Sequence, residues 1–233
     1  MKKIPERKER SMRHEYKHPI TYQDYLIISG RLKHLAGQDK HVGKDGTYRV
    51  RSLYFDNLSD KALREKISGV NKREKFRIRY YNDDTSFIRL EKKCRIHGLC
   101  EKVSAPITKE EVIKICHGDT SFLLKSDKEL FRELYAKMQY QMLRPRVVVD
   151  YKREPYVYAP GNVRVTFDSD IRTSLYQNRL FEKELLTTPA HEGGMLMEVK
   201  YDAFLPEIIQ MAVRVPNRHA EAFSKYAVCR RFG

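Results

Sequence analysis

The 233-residue chain is 41% hydrophobic, enough for one sizeable core, and sets 46 Lys and Arg against 31 Asp and Glu for a formal charge of +15. Its apolar runs, such as Leu26 to Ile28 and Val147 to Val149, fall far short of the roughly 20 residues that carry a helix across a bilayer. The charge excess calls for an anionic partner, and the placement of the basic residues decides between nucleic acid, acidic lipid and small phosphates.

The opening MKKIPERKER is charged and aperiodic, and residues 1–12 are expected to form a basic arm ahead of a single domain over 13–233. From Thr21 to about Leu35, Tyr25, Ile28, Leu32 and Leu35 recur at helical spacing behind a threonine N-cap. Gly37 to Gly46 reads as a loop, Tyr48 to Asp56 as a strand, and Ser59 to Ile67 as a short helix ended by Gly69. Glu74 to Tyr81, Thr85 to Ile96 and Leu99 to Pro106 form an antiparallel meander with Asn-Asp-Asp and His-Gly turns. Thr108 with Glu111 and Ser126 with Glu129 match the capping box, the second opening a helix on Leu130, Leu134 and Met138. Strands resume at Arg146 to Tyr158, Asn162 to Ile171 and Met195 to Tyr201, and short helices are expected near Pro206 and Asn217.

Clustered strands without regular strand–helix alternation define an α+β class with a mainly antiparallel sheet, and there are enough strands to close it into a barrel. Four cysteines, at 94, 100, 116 and 229, make no CxxC pair, and the N-terminus shows no secretory leader, so the expectation is a cytoplasmic protein with reduced thiols. Cys94, His97 and Cys100 read better as the flanks of a hairpin turn than as a metal site.

The informative feature is the position of charge within the strands. Side chains alternate along a strand, so EKFRIRYY places Lys75, Arg77 and Arg79 on one face and Phe76, Ile78 and Tyr80 on the other. Arg89, Glu91, Lys93 and Arg95 oppose Ile88, Leu90, Cys94 and Ile96, with Lys92 breaking the apolar face. Arg164, Thr166 and Asp168 oppose Val163, Val165 and Phe167; Glu198 and Lys200 oppose Met197, Val199 and Tyr201. A single strand of this kind also suits an open sheet with one face in water. With helices enough to cover the apolar faces, the charged faces turn inward, where unpaired guanidiniums are costly without an anionic guest. A row of phosphates suits them, with Arg as a planar fork, Lys as a point charge and the few carboxylates free to hold a metal.

The ordered set Arg13-His14-Glu15-Tyr16-Lys17, Tyr54-Phe55-Asp56, Arg77-Ile78-Arg79-Tyr80, Glu91-Lys92-Lys93, Glu101-Lys102, Tyr151-Lys152-Arg153, Arg164 to Asp168, Glu198-Val199-Lys200 and Ser224-Lys225-Tyr226 resembles the VTC domain. That domain is the polyphosphate polymerase module of the CYTH-like triphosphate tunnel metalloenzymes. The resemblance implies a closed tunnel with helices outside. It implies phosphate-binding or catalytic roles for Lys17, Arg77, Arg79, Lys93, Lys102, Arg153, Arg164, Lys200, Ser224 and Lys225. It assigns Glu198 to a divalent metal, Mn2+ or Mg2+, with Glu15 and Glu91 as further candidates. The activity implied is transfer of the terminal phosphate of ATP to a growing polyphosphate chain.

Two departures bear on this. Arg13 stands where the hydrolytic branch carries the first glutamate of its E-x-E-x-K strand, which weakens a hydrolase reading and adds charge for phosphate. Ala222 replaces a lysine that eukaryotic polymerases tend to carry before S-K-Y. A tunnel triphosphatase or polyphosphatase, and a non-catalytic polyphosphate binder, stay open as alternatives. Cations set in strands rather than in loops or a basic helix disfavour nucleic acid as the partner. Product translocation would need a separate membrane partner.

Overall fold

A computed structural model describes residues 13–39, 41–96, 99–191, 193–216 and 219–232. In chain order the elements are β1 (His14–Ile20), α1 (Tyr22–Lys33), β2 (Gly37–Gln38), β3 (Tyr48–Asp56), α2 (Lys61–Ile67), β4 (Arg73–Tyr81), β5 (Asp84–Ile96) and β6 (Leu99–Pro106). There follow α3 (Lys109–Cys116), α4 (Ser121–Lys125), α5 (Glu129–Tyr140), β7 (Arg144–Tyr158), β8 (Val163–Ser174), β9 (Thr188–Pro189), β10 (Met195–Tyr201), α6 (Glu207–Ala212) and α7 (Lys225–Cys229). The strands form one antiparallel sheet in the order β1-β10-β8-β7-β3-β4-β5-β6, with β2 on β7 and β9 on β8. The sheet curls so that Lys93 of β5, next to the β6 end, reaches Glu15 of β1 at 2.9 Å; no ladder joins β1 to β6 among the described residues, so the expected closed barrel is an open, curled sheet.

The apolar faces are covered from outside. Leu53, Phe55, Phe76, Ile78, Ile88 and Leu90 pack with Val112, Leu130, Phe131, Leu134 and Met138 of the helices that follow β6. At roughly 1.5 to 3 kcal/mol for each fully buried large apolar side chain, this layer is a main source of stability. A second layer sets Val163, Val165, Phe167, Met197 and Val199 against Ile28 and Leu32 of α1 and Ile209 of α6. Lys92, the break in the apolar face of β5, is matched by Glu133 of α5 at 2.6 Å. A third cluster lies on the concave side, where Tyr226 and Cys229 of α7 pack on Val50, Tyr54, Val147, Val149 and Tyr151.

Local signals explain most boundaries. Thr21 and Asp24 form a reciprocal capping box on α1, as do Thr108 and Glu111 on α3. Asn82 and Asp83 both adopt left-handed φ (50° and 57°) between the paired Tyr81 and Asp84, the conformation a two-residue hairpin turn requires. Gly69, φ 67°, follows α2.

Three further expectations are corrected. Ser126 and Glu129 form no capping box: Ser126 ends α4, a helix not anticipated, its hydroxyl accepts from the Lys128 amide, and α5 begins at Glu129 without a side-chain cap. The last helix starts at Lys225, where the Ser224 hydroxyl accepts from the Ala227 amide, while Asn217 lies outside the described residues. Part of the expected 37–46 loop is β2, paired to Val157 and Tyr156. The expected arm over 1–12, His97 and the side chain of Cys100 also lie outside the described residues; β5 and β6 pair as far as Ile96 opposite Leu99. Among the described residues no helix is long and apolar enough to cross a membrane.

Asp56 joins strand, helix and plug. Its carboxylate accepts from the amides of Asn57, Ala62 and Leu63, capping α2 from outside its own N-cap position, and from the hydroxyl of buried Tyr226. Asp56→Ala is therefore expected to lose a cap and orphan a buried hydroxyl, lowering stability by about 2 kcal/mol or more in urea unfolding. Tyr226→Phe, which leaves the cap in place, should cost less.

Candidate functional site

Period-two alternation carries one set of charged residues from each of β1, β4, β5, β7, β8 and β10 onto the concave face. Register places them side by side: Lys17 opposite Glu198, Glu15 opposite Lys200, Arg153 opposite Asp168, Arg77 opposite Glu91, and Lys75 opposite Lys93. The cavity they bound at one end is about 580 Å³ and is lined by Glu15, Lys17, Lys75 and Lys93 together with the 221–224 segment.

Two carboxylates organise the β1, β8 and β10 wall. Asp168, fully buried, takes both arms of Arg153 at 2.6 and 2.7 Å and also pairs with Lys225. Glu198 lies among Lys225 at 3.1 Å, Lys200 at 3.2 Å, Arg153 at 3.5 Å and Lys17 at 3.8 Å. Glu15 is held by Lys93 at 2.9 Å and Lys17 at 3.0 Å, with Lys200 at 3.9 Å. Burial opposes ionisation of Glu198, but Lys225, Lys200, Lys17 and Arg153 outweigh it and hold its carboxyl far below the usual carboxylate range. Burial likewise opposes ionisation of Glu15, and Lys17, Lys200 and Lys93 prevail in the same direction.

On the opposite wall, Arg77 bonds Glu91 at 2.6 and 2.7 Å and the Tyr54 hydroxyl at 3.0 Å, and Lys102 at the exposed rim reaches Glu91 at 3.0 Å. Arg79 is buried, and its hydrogen bonds among the described residues go to neutral hydroxyls, Ser52 at 3.1 Å and Tyr151 at 3.4 Å. Arg164 stands apart, bonded to Asp39 at 2.7 Å and Tyr48 at 2.9 Å.

The structure thus brings Lys17, Arg153, Lys200, Lys225, Glu15 and Glu198 into one cluster linked through Lys93 to the β4–β5 wall of Arg77, Arg79 and Glu91. Ser224 is buried, but its hydroxyl is engaged as the N-cap of α7. Asp168 pairs with Arg153, which sits directly across the ladder, and not with Arg164 four residues away along its own strand. Arg13 does not add its charge to the cluster, because Asp202 at 2.7 Å and the Asn162 carbonyl hold its guanidinium.

Sequence reasoning passed over Lys75, although alternation had already placed it beside Arg77 and Arg79. It also passed over the lumen-facing Tyr151, whose ring lies under Arg153 and Lys225 at 5.3 and 4.9 Å. A run of strand aromatics gives no signal to separate such a tyrosine from a core one.

A curled antiparallel sheet whose concave face gathers arginine and lysine from strand after strand around a minority of carboxylates defines a basic concavity suited to an anion. Residues 12–232 match the VTC domain, and the chain belongs to that family. Among solved structures, a Bacillus halodurans protein provisionally assigned as an adenylate cyclase is 14% identical with a TM-score of 0.50, covering 85% of this chain and 83% of that one. The PH1012 protein of Pyrococcus horikoshii is 13% identical with a TM-score of 0.48, covering 93% and 99%. The first of these similarities speaks to the fold alone. No curated protein matches the chain in sequence. Membership of this family supports a role in binding a triphosphate or polyphosphate.

Two groups set a pH dependence. Burial and the neighbouring cations Lys17, Lys93 and Arg77 lower the Lys75 ammonium to about 8. Burial opposes ionisation of Tyr54, but Arg77, Arg79 and Lys75 outweigh it and bring its hydroxyl down to about 7. As pH rises, one group loses a positive charge and the other gains a negative one. An anion binds best to the protonated forms, so affinity is full well below 7 and declines as pH rises through about 7 and then about 8. Sulfate, whose own charge is constant here, should bind progressively more weakly by calorimetry across that range, and Tyr54→Phe with Lys75→Met should flatten the decline.

Proposed function

We propose that this chain is a polyphosphate polymerase that transfers the terminal phosphate of ATP to a growing polyphosphate chain with a divalent metal. The observation that carries this reading is the concentration of cations on one concave face, where Arg79 is buried with hydrogen bonds to the hydroxyls of Ser52 and Tyr151. In the reaction, the bond between the γ-phosphorus and the β,γ-bridging oxygen breaks. A new bond forms to a terminal oxygen of the acceptor chain, and ADP leaves. Such a transfer needs alignment and neutralisation of the equatorial oxygens rather than a covalent enzyme intermediate. Arg77 and Arg79 offer planar forks on one wall, while Lys17, Lys200 and Lys225 offer point charges on the other.

The carboxylates fit a metal in a limited way. Among the described residues no three His, Cys, Asp or Glu side chains converge into a cage. Glu198 and Glu15 lie on adjacent strands and share Lys17 and Lys200. Mg2+ and Mn2+ commonly take one or two carboxylates and complete their shell with substrate phosphates, which suits this pair. When bound there, such an ion supplies neutralisation of phosphate charge. Glu91, bracketed by Arg77 and Lys102 across the lumen, fits better as an orienter of those cations.

Purified protein incubated with ATP and Mn2+ or Mg2+ should form a polyphosphate ladder on gels. Glu198→Gln keeps shape but removes the charge. It should abolish metal-dependent ladder formation while polyphosphate affinity persists or tightens, because a repulsive charge leaves a basic lumen. Polymer loss with phosphate release by the parent protein would favour the hydrolase instead, and binding without turnover in either direction would favour the non-catalytic binder.

A further inference from the structure

The lumen mouth continues into a second basic basin that the polymerase reading does not use. Its volume is about 750 Å³, and Lys66, Arg73, Arg95 and residues 221–224 line both it and the mouth cavity. On its far side it is lined by the exposed Arg231. Arg230, also in its wall, is committed to Asp60 at 2.5 Å.

The continuity follows from strand register. Arg73 opposite Arg95 is the next step, on the same face, of the row that runs through Lys75 opposite Lys93 and Arg77 opposite Glu91. The cation row therefore leaves the lumen without changing face. Lys66 joins it from α2. Burial lowers its ammonium, and the charges acting on it, Arg73, Lys17 and Arg95, are all positive. The 221–224 segment between mouth and basin is anchored: the Glu221 amide donates to the Lys17 carbonyl at 2.7 Å, Lys17 donates to the Phe223 carbonyl at 3.2 Å, and Lys66 donates to the Ala222 carbonyl at 2.9 Å. Glu221 is the opposing charge in this wall.

We propose that this basin is a second polyanion surface, which takes the stretch of linear polyphosphate that extends beyond the lumen. An extended chain of phosphates can occupy lumen and basin at once, whereas a triphosphate cannot. Engagement of the second surface is then intramolecular, so affinity rises with chain length. The proposal rests on the polyphosphate reading of the lumen.

The test compares tripolyphosphate with long-chain polyphosphate at one salt concentration, using parent protein and an Arg231→Glu variant of unchanged melting temperature, since Arg231 lines the basin and not the mouth cavity. The parent should prefer the long chain by at least about tenfold, the gain one further charge-assisted contact brings. The variant should lose most of that margin and keep its tripolyphosphate affinity. A parent without the margin, or a variant that retains it, overturns the basin but leaves the lumen reading standing. A parent that binds neither ligand overturns both. An oligodeoxynucleotide that shows the same margin and the same loss overturns the assignment to polyphosphate.

Discussion

The structure turns on the cost of enclosing like charges. Guanidinium and ammonium groups from several strands share a space with reduced access to water, where an unpaired charge costs several kcal/mol even after relaxation. Asp168 and Glu198 make this tolerable. Asp168 takes both arms of Arg153 and pairs with Lys225, while Glu198 lies within 3.8 Å of Lys17 and closer to Lys200, Lys225 and Arg153. Remaining cations have weaker compensation: Arg79 leans on hydroxyls, and Lys75 faces Lys93. The lumen therefore has its negative charge concentrated on one wall and scarcer on the other. An oligophosphate would complete it.

This arrangement depends on the outer layers. Because α1 and α6 cover one part of the sheet and α3 to α5 another, the apolar faces are used up outside and the charged faces have only the concavity left. Where the concave face is itself apolar, at Val50, Val147 and Val149, α7 fills it with Tyr226 and Cys229. The same short helix begins with Lys225, so the plug that completes the core also delivers an ammonium to Glu198 and Asp168. Tyr54 stacks on Tyr226 at 5.2 Å and accepts from Arg77 at 3.0 Å, linking plug to site.

Much of this was legible in the sequence because strand alternation is a strong signal. Alternation alone puts the cations of EKFRIRYY and of the run from Arg164 to Asp168 on one face, and the bounds of β3 and β10 agree with the sequence pattern. Pairing across strands was less accessible. Nothing in a single sequence says that Asp168 lies opposite Arg153, since that depends on the register of β7 and β8 and on the shift between Asp150 and Lys152. Not every strand arginine turns inward, either. Arg51 alternates to the outer face and is buried there with Asp150 at 2.6 Å, an ion pair that serves packing. Lys66 gave no signal because it belongs to a short helix whose placement only the tertiary structure defines.

The claim that an oligophosphate supplies charge the lumen lacks is tested most directly by calorimetric unfolding. Tripolyphosphate is compared with sodium chloride at matched ionic strength, so that general screening is common to both. The account predicts that tripolyphosphate at about a hundredfold excess over its Kd raises the Tm by about 5 °C or more beyond the chloride control. Equal melting temperatures in the two salts would contradict it.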